Sequence, residues 1–195
     1  MIHFCGIQLD LPIVNGSGTF DAIAARRAFG DELLERFPFA AFVSKTVTVE
    51  PRHGNPPPRL WELAGGLMNS IGLPNKGLEG FLADDLPELA RLPVPLIVNV
   101  MGSTPDEFAR LISAFAERDE VAALELNVSC PNVRTGLDIG ADPDATAELI
   151  DAVRPLSTKP LIVKLTPNAT DVAAVARAAE RAGASAVSLI NTLKG

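Results

Sequence analysis

The stretch LELNVSCPNVRTG, Leu124 to Gly136, sets a cysteine just beyond an apolar run, with Asn127 before it and Asn132 after it. A cysteine in such a place can pack, ligate a metal, attack a substrate or move a proton, and its neighbours decide among these. The chain has two histidines, His3 and His53, and neither lies near Cys130 in sequence, so a Cys/His nucleophilic pair is poorly supported. Cys5, Cys130 and the two histidines have no metal-ligand spacing, and no metal site is expected. Lys45 and Lys164 each end an apolar run, and a cation nearby favours the thiolate, the reactive form. A cysteine acting as a proton-transferring base fits what remains. Other apolar runs end in the same way: Ser44 and Thr46 flank Lys45, Asn99 closes another run, Asn127 a third, and Asn191-Thr192 the last. Amides and lysines at the ends of apolar strands need partners if buried. A flat, anionic ligand rich in hydrogen-bond acceptors would supply them.

The elements that must position these residues follow from the hydrophobic pattern. Apolar runs of strand length fall at 39–45, 95–100, 122–128, 160–165 and 186–191, preceded by a segment that ends at Val14. They are nearly continuous in hydrophobicity, as strands of a parallel sheet covered on both faces are. Amphipathic stretches alternate with them. Thr104 with Pro105 and Glu107 predicts an N-cap, a first helical turn and a capping box, and Asp142-Pro143 repeats the cap arrangement. Gly183 suits the position just past a helix end. Repeated βα units mean an α/β fold, and polar residues at successive strand ends converge on one face in a (β/α)8 barrel. The opening IHFCGIQLD reads as a β-hairpin. The glycines of NGSGTF lack the third glycine of a dinucleotide fingerprint. The segment 47–76 is too long and too rich in proline and glycine for an ordinary connection, and reads as a loop over the site.

Composition bounds the rest. With 195 residues, 47% of them hydrophobic, the chain can bury a substantial core as a single domain over 1–195. A net charge of -7, with no lysine/arginine cluster beyond Arg26-Arg27, argues against nucleic acid as a partner. The N-terminus lacks a secretory pattern, and no apolar run approaches the ~18 residues of a membrane span. The expectation is a soluble cytoplasmic protein with both thiols reduced.

The segments NGSGTF, SKTVTVEPRHGNPPPR, GLMNSIGLPNKG, LIVNVMGS, LELNVSCPNVRTG, VKLTPN and INTLKG, in this order, resemble the dihydroorotate dehydrogenases of the cysteine-base type, class 1. The resemblance implies a (β/α)8 barrel with FMN across its C-terminal face, oxidising (S)-dihydroorotate to orotate in pyrimidine (UMP) biosynthesis. It makes Cys130 the base for the C5 proton, while the C6 hydride goes to flavin N5. It assigns Lys45, Asn69, Ser70, Ile71, Gly72, Leu73, Asn127, Asn132, Asn191 and Thr192 to the substrate. Ser17, Lys45, Thr46, Asn99, Asn127, Lys164 and Ile190 would contact FMN, with Lys164 near the N1 side of the ring. The FGDELLERF region looks closer to the NAD-linked subclass, in which a homodimer of the FMN chain pairs with a subunit carrying FAD and an iron–sulfur cluster; the fumarate-using homodimers are the alternative.

Family members run to roughly 300 residues, the scale of a complete barrel. The sequence therefore corresponds to the first six or so βα units, about two-thirds of a member, and is expected to be part of a longer enzyme. Two further readings stand beside dihydroorotate oxidation: an FMN barrel acting on another dihydropyrimidine, and a non-catalytic assembly module.

Overall fold

A computed structural model describes residues 1–129 and 138–195 of the chain. Strands β1 (Ile2–Phe4) and β2 (Ile7–Leu9) form the expected antiparallel hairpin, turning at Cys5-Gly6. Helices α1 (Ala22–Phe29) and α2 (Glu32–Glu35) lead into β3 (Phe42–Val43). A second hairpin, β4 (Leu60–Leu63) and β5 (Gly66–Asn69), precedes helices α3 (Gly77–Gly80) and α4 (Leu86–Leu89), which are joined by a π turn over Phe81–Asp85. Regular alternation then sets in: β6 (Leu96–Val100), α5 (Pro105–Ala116), β7 (Val121–Asn127), α6 (Pro143–Val153), β8 (Leu161–Lys164), α7 (Val172–Arg181) and β9 (Ala186–Ser188).

Strands β3, β6, β7, β8 and β9 form one parallel sheet in that order, the first part of a (β/α)8 barrel. The segment ending at Val14 contributes no strand of its own. Pro12 lacks an N–H, and the chain instead meets the edge of β3 through single groups. The Ile13 carbonyl accepts from Ala40 N at 2.8 Å, and the Asn15 side chain both accepts from Val43 N and donates to Val43 O, each at 2.8 Å. One amide side chain thus stands in for a neighbouring strand along the edge.

Successive strand residues point to opposite faces, and the near-continuous apolar runs are explained by two covered faces. Phe42, Leu96, Val98, Leu124, Leu126, Leu161 and Val163 pack outward against the helices, where Phe108, Leu111, Phe115, Ile150 and Val175 complete the main core. Val43, Ile97, Ala123 and Ile162 point the other way, onto Ile7 and Leu9 of the first hairpin. The hairpin closes one end of the inner face. Continuing each strand by two residues on that face leads to Lys45, Asn99, Glu125 then Asn127, Lys164 and Ser188. Chain direction therefore separates an apolar floor from a polar mouth.

Helix ends follow the sequence signals. Thr104 Oγ1 accepts from Glu107 N at 3.2 Å, with Pro105 in the first turn. The Glu107 carboxylate reaches one residue further back than a capping box requires and accepts from Ser103 N at 2.6 Å. Thr104→Ala is expected to lower stability by about 1 kcal/mol, read as a shift in denaturant midpoint at constant slope. Asp142 caps α6 through Asp144 N and Ala145 N, and Gly183 follows α7 at φ +96°.

Candidate functional site

The mouth of the inner face gathers the strand-end residues. Asn99, the last inward residue of β6, is fully buried, and its Nδ2 donates to Glu125 Oε1 at 2.6 Å. Glu125, opposite it on β7, is 6% exposed and also accepts from Ser188 Oγ at 2.8 Å. At the next inward position Asn127 accepts from Asn191 Nδ2 at 3.0 Å and from Ser129 N at 3.2 Å. Asn191 Nδ2 also donates to Ser129 Oγ at 2.9 Å. The loop leaving β7 is thereby tied to the chain beyond β9 before Cys130 is reached. Cys130 and Asn132 lie outside the described residues.

Lys45 is exposed and Lys164 half-buried, and among the described residues neither makes an ion pair or side-chain hydrogen bond. Lys45 sits where the chain breaks from β3: Ser44 Oγ takes Asn99 N at 3.1 Å, and strand-like pairing resumes only at Val47, which bridges Val100. Ser17 Oγ donates to Ser44 O at 2.8 Å and holds the NGSG turn against this break. Thr46 is buried beside it, whereas Ile190 and Thr192 are exposed, with Thr192 N donating to Asn191 Oδ1 at 2.8 Å. Among the described residues, one buried side-chain polar atom has no hydrogen-bond partner: Asn99 Oδ1.

The segment 47–76 is a structured excursion rather than an open loop. Asn55 N donates to Ile71 O at 3.0 Å, and Asn55 Nδ2 reaches Ser70 O and Ser70 Oγ, both at 2.9 Å. Arg52 and Asn75 exchange backbone bonds at 2.9 Å. The Asn75 side chain accepts from Gly77 N and donates to Leu73 O, each at 2.9 Å, and donates to Thr48 Oγ1 at 3.0 Å. Gly72 and Leu73 both adopt positive φ. The run Asn69, Ser70, Ile71, Gly72, Leu73 is therefore rigidly shaped. Its hydrogen bonds run to Asn55, Arg59 and Asn75, and among the described residues none joins it to Asn99, Asn127, Lys164 or Asn191. At its end Lys76 donates to Asp85 at 2.6 Å and Asp84 at 3.1 Å, and these bonds, Asp85 foremost, hold its ammonium above the usual lysine range.

Glu125, Ser188, Ser129 and Asn75 escape a reading of strand ends alone. Glu125 and Ser188 had a signal: each is a polar residue inside an apolar strand, two positions from another site residue. Asn75 had none beyond its place before Lys76-Gly77. Cys5 stands apart, its Sγ 3.5 Å from Ser185 O, and burial pushes its thiol above the usual cysteine range. Among the described residues no group of acidic, histidine or cysteine side chains could hold a metal ion, and no helix is long and apolar enough to cross a membrane.

A parallel α/β sheet with amides and lysines at its carboxyl ends is the arrangement of a (β/α)8 barrel, here its first part. The model of the dihydroorotate dehydrogenase family matches residues 1–195, and the chain belongs to that family. It is similar to proteins named dihydroorotate dehydrogenase B (NAD(+)), catalytic subunit. That of Pelobacter propionicus is 47% identical over 196 residues, covering 100% of this chain and 63% of the relative. That of Geotalea daltonii is 44% identical over 196 residues with the same coverage, and that of Geobacillus kaustophilus 43% over 198 residues, covering 61% of the relative. The chain thus spans a little under two-thirds of the length of the curated relatives it matches.

Proposed function

We propose that the protein oxidises (S)-dihydroorotate to orotate in pyrimidine biosynthesis, with FMN as its cofactor and Cys130 as the base. The observation that carries this reading is the polar mouth itself: among the described residues Lys45 and Lys164 have no ion-pair partner, and the buried acceptor Asn99 Oδ1 has no hydrogen-bond donor. Such a mouth fits the isoalloxazine ring, which combines ring N–H and carbonyl groups with the capacity to take up negative charge. Ser17, Lys45, Thr46, Asn99, Asn127, Lys164 and Ile190 would hold it, with Lys164 supplying positive charge along the ring. When bound, FMN supplies the acceptor for the hydride that leaves C6 of the substrate.

This chain's own residues then have separate tasks. Cys130 Sγ takes the C5 proton as the C5–C6 double bond forms. Asn127 and Asn191, fixed to one another, meet the amide edge of the substrate together with Asn69 and Asn132, and a lysine answers its carboxylate. The rigid 69–73 run covers the substrate from one side and excludes water.

The relatives' names, with NAD(+) and a catalytic subunit in them, support NAD+ as final acceptor and a further, separate subunit. In our reading that subunit carries FAD and an iron–sulfur cluster and transfers the electrons, and this chain is one FMN-binding domain of a cytoplasmic homodimer. Fumarate as acceptor is the alternative. An assembly role has its own observation, the exposed Leu60, Trp61, Leu67 and Met68 of the β4–β5 hairpin.

The visible spectrum of the purified chain, before and after anaerobic addition of dihydroorotate, tests the reading. A flavin band that bleaches is the expected outcome. A colourless protein that acquires no band when FMN is added overturns it. Bleaching by dihydrouracil alone moves the substrate to the other dihydropyrimidines.

A further inference from the structure

Glu125 sits in the middle of the site, yet proton transfer and substrate binding as described leave it without a task. It lies within a parallel strand, nine-tenths buried, and no lysine or arginine pairs with it among the described residues. A buried carboxylate without a cation is costly unless its oxygens are hydrogen-bonded. Two neutral donors from two other strands meet it: Asn99 Nδ2 of β6 at 2.6 Å on Oε1, and Ser188 Oγ of β9 at 2.8 Å on Oε2.

The consequence falls on Asn99. A carboxylate only accepts, so it dictates which end of the Asn99 amide faces it. With Nδ2 committed to Glu125, Oδ1 is left as a buried acceptor, and it is the one buried side-chain atom without a partner among the described residues. An amide free to turn could offer donor or acceptor in equal measure. This one cannot.

We infer that Glu125 is a positioning residue acting through Asn99: it fixes that amide as a hydrogen-bond acceptor, so the ring bound at the mouth must present an N–H there, and a ring carbonyl in its place is rejected. The inference rests on the flavin reading above and deepens it, because the pyrimidine edge of isoalloxazine carries an imide N–H between two carbonyls. Ser188 holds the second carboxylate oxygen and keeps Glu125 from turning away from Asn99.

The test uses riboflavin, which has no phosphate to mask a change at the ring, titrated into the purified chain by fluorescence. Glu125→Leu is expected to weaken binding by about 10-fold or more, the scale of a buried acceptor losing its alignment. Glu125→Gln still offers Asn99 an acceptor and is expected to recover most of that loss. In an Asn99→Ala background, Glu125→Leu should change the Kd by less than about 2-fold, since the two act as one unit. Equal losses with and without Asn99 would make Glu125 merely structural and overturn the proposal. If Glu125→Leu does not fold, N3-methylriboflavin decides with the native chain: it should bind about 10-fold more weakly than riboflavin, and Asn99→Ala should erase the difference. Equal binding of the two flavins by the native chain overturns the proposal while leaving the flavin reading intact. Without flavin, the Asn99 side-chain amide should show a shifted, slowly exchanging NMR resonance that Glu125→Gln keeps; a resonance at the ordinary position overturns the anchoring itself. No riboflavin or FMN binding by the native chain overturns the flavin reading, and this inference with it.

Discussion

Cys130→Ala is expected to bind flavin as the native chain does and to lose about 10²–10⁴-fold in the rate at which dihydroorotate bleaches it, the usual contribution of a positioned general base. Cys130 is the group proposed for the C5 proton because the chain's two histidines are far off in sequence and Glu125, the one acidic residue of the segment, already accepts from Asn99 and Ser188. The approach to this position is well anchored: Ser129 N and Asn191 Nδ2 both bond Asn127 Oδ1, and Asn191 also holds Ser129 Oγ. Those contacts belong to residues 127, 129 and 191 and do not involve the thiol, so its removal should leave flavin binding intact. Cys130→Ser, a weaker acid, should fall between the two. In the native chain the bleaching rate should rise with pH as the thiol ionises, and that limb should vanish in the alanine variant. Stopped-flow reduction across pH reads both effects. A variant that loses its flavin, or one that is reduced at the native rate, would remove Cys130 from the role of base.

The parts of this arrangement that the sequence discloses are those governed by local rules. Strand runs such as PLIVNV and PLIVKL emerge as β6 and β8 with small shifts at their ends, since parallel strands covered on both faces must be apolar throughout. Thr104, Asp142 and Gly183 mark helix ends because caps depend on one or two residues. What remained hidden depends on distant partners. The run 39–45 narrows to a two-residue strand because its pairing with β6 ends where Ser44 Oγ intercepts Asn99 N. The hairpin 60–69 has every residue exposed and turns at Ala64-Gly65, so neither alternation nor a strong turn pair announced it. Glu125 is one glutamate in an apolar strand until Asn99 and Ser188, 26 residues before and 63 after, are seen to meet it.

Gly54 is a point at which the 47–76 excursion is vulnerable, and Gly54→Ala is expected to separate substrate binding from flavin binding. Its φ is +74°, which an alanine adopts at a cost of about 1–2 kcal/mol. The new Cβ would also stand 2.7 Å from Ile71 O and 2.9 Å from Pro74 Cδ. Ile71 O is the acceptor for Asn55 N, and Asn55 in turn holds Ser70, so the clash pushes apart the two strands of chain that shape residues 69–73. Asn75 resists this from the other side by gripping Thr48 and Gly77, and the displacement should therefore be confined to residues 69–73. The expected result is a loss of about 1–3 kcal/mol in stability. The KM for dihydroorotate should rise about 10-fold or more, as befits a misplacement of around 1 Å in a positioning element. The flavin Kd should stay as it was, since among the described residues Gly54 and the 69–73 run make no hydrogen bond to the groups proposed to hold the ring. Gly65→Ala is the matched control: its Cβ has nothing within 4 Å, and it should leave KM and stability unchanged. A KM that stays native in Gly54→Ala would detach the 69–73 run from the substrate. A flavin affinity that falls in step with KM would mean that the run supports the ring instead.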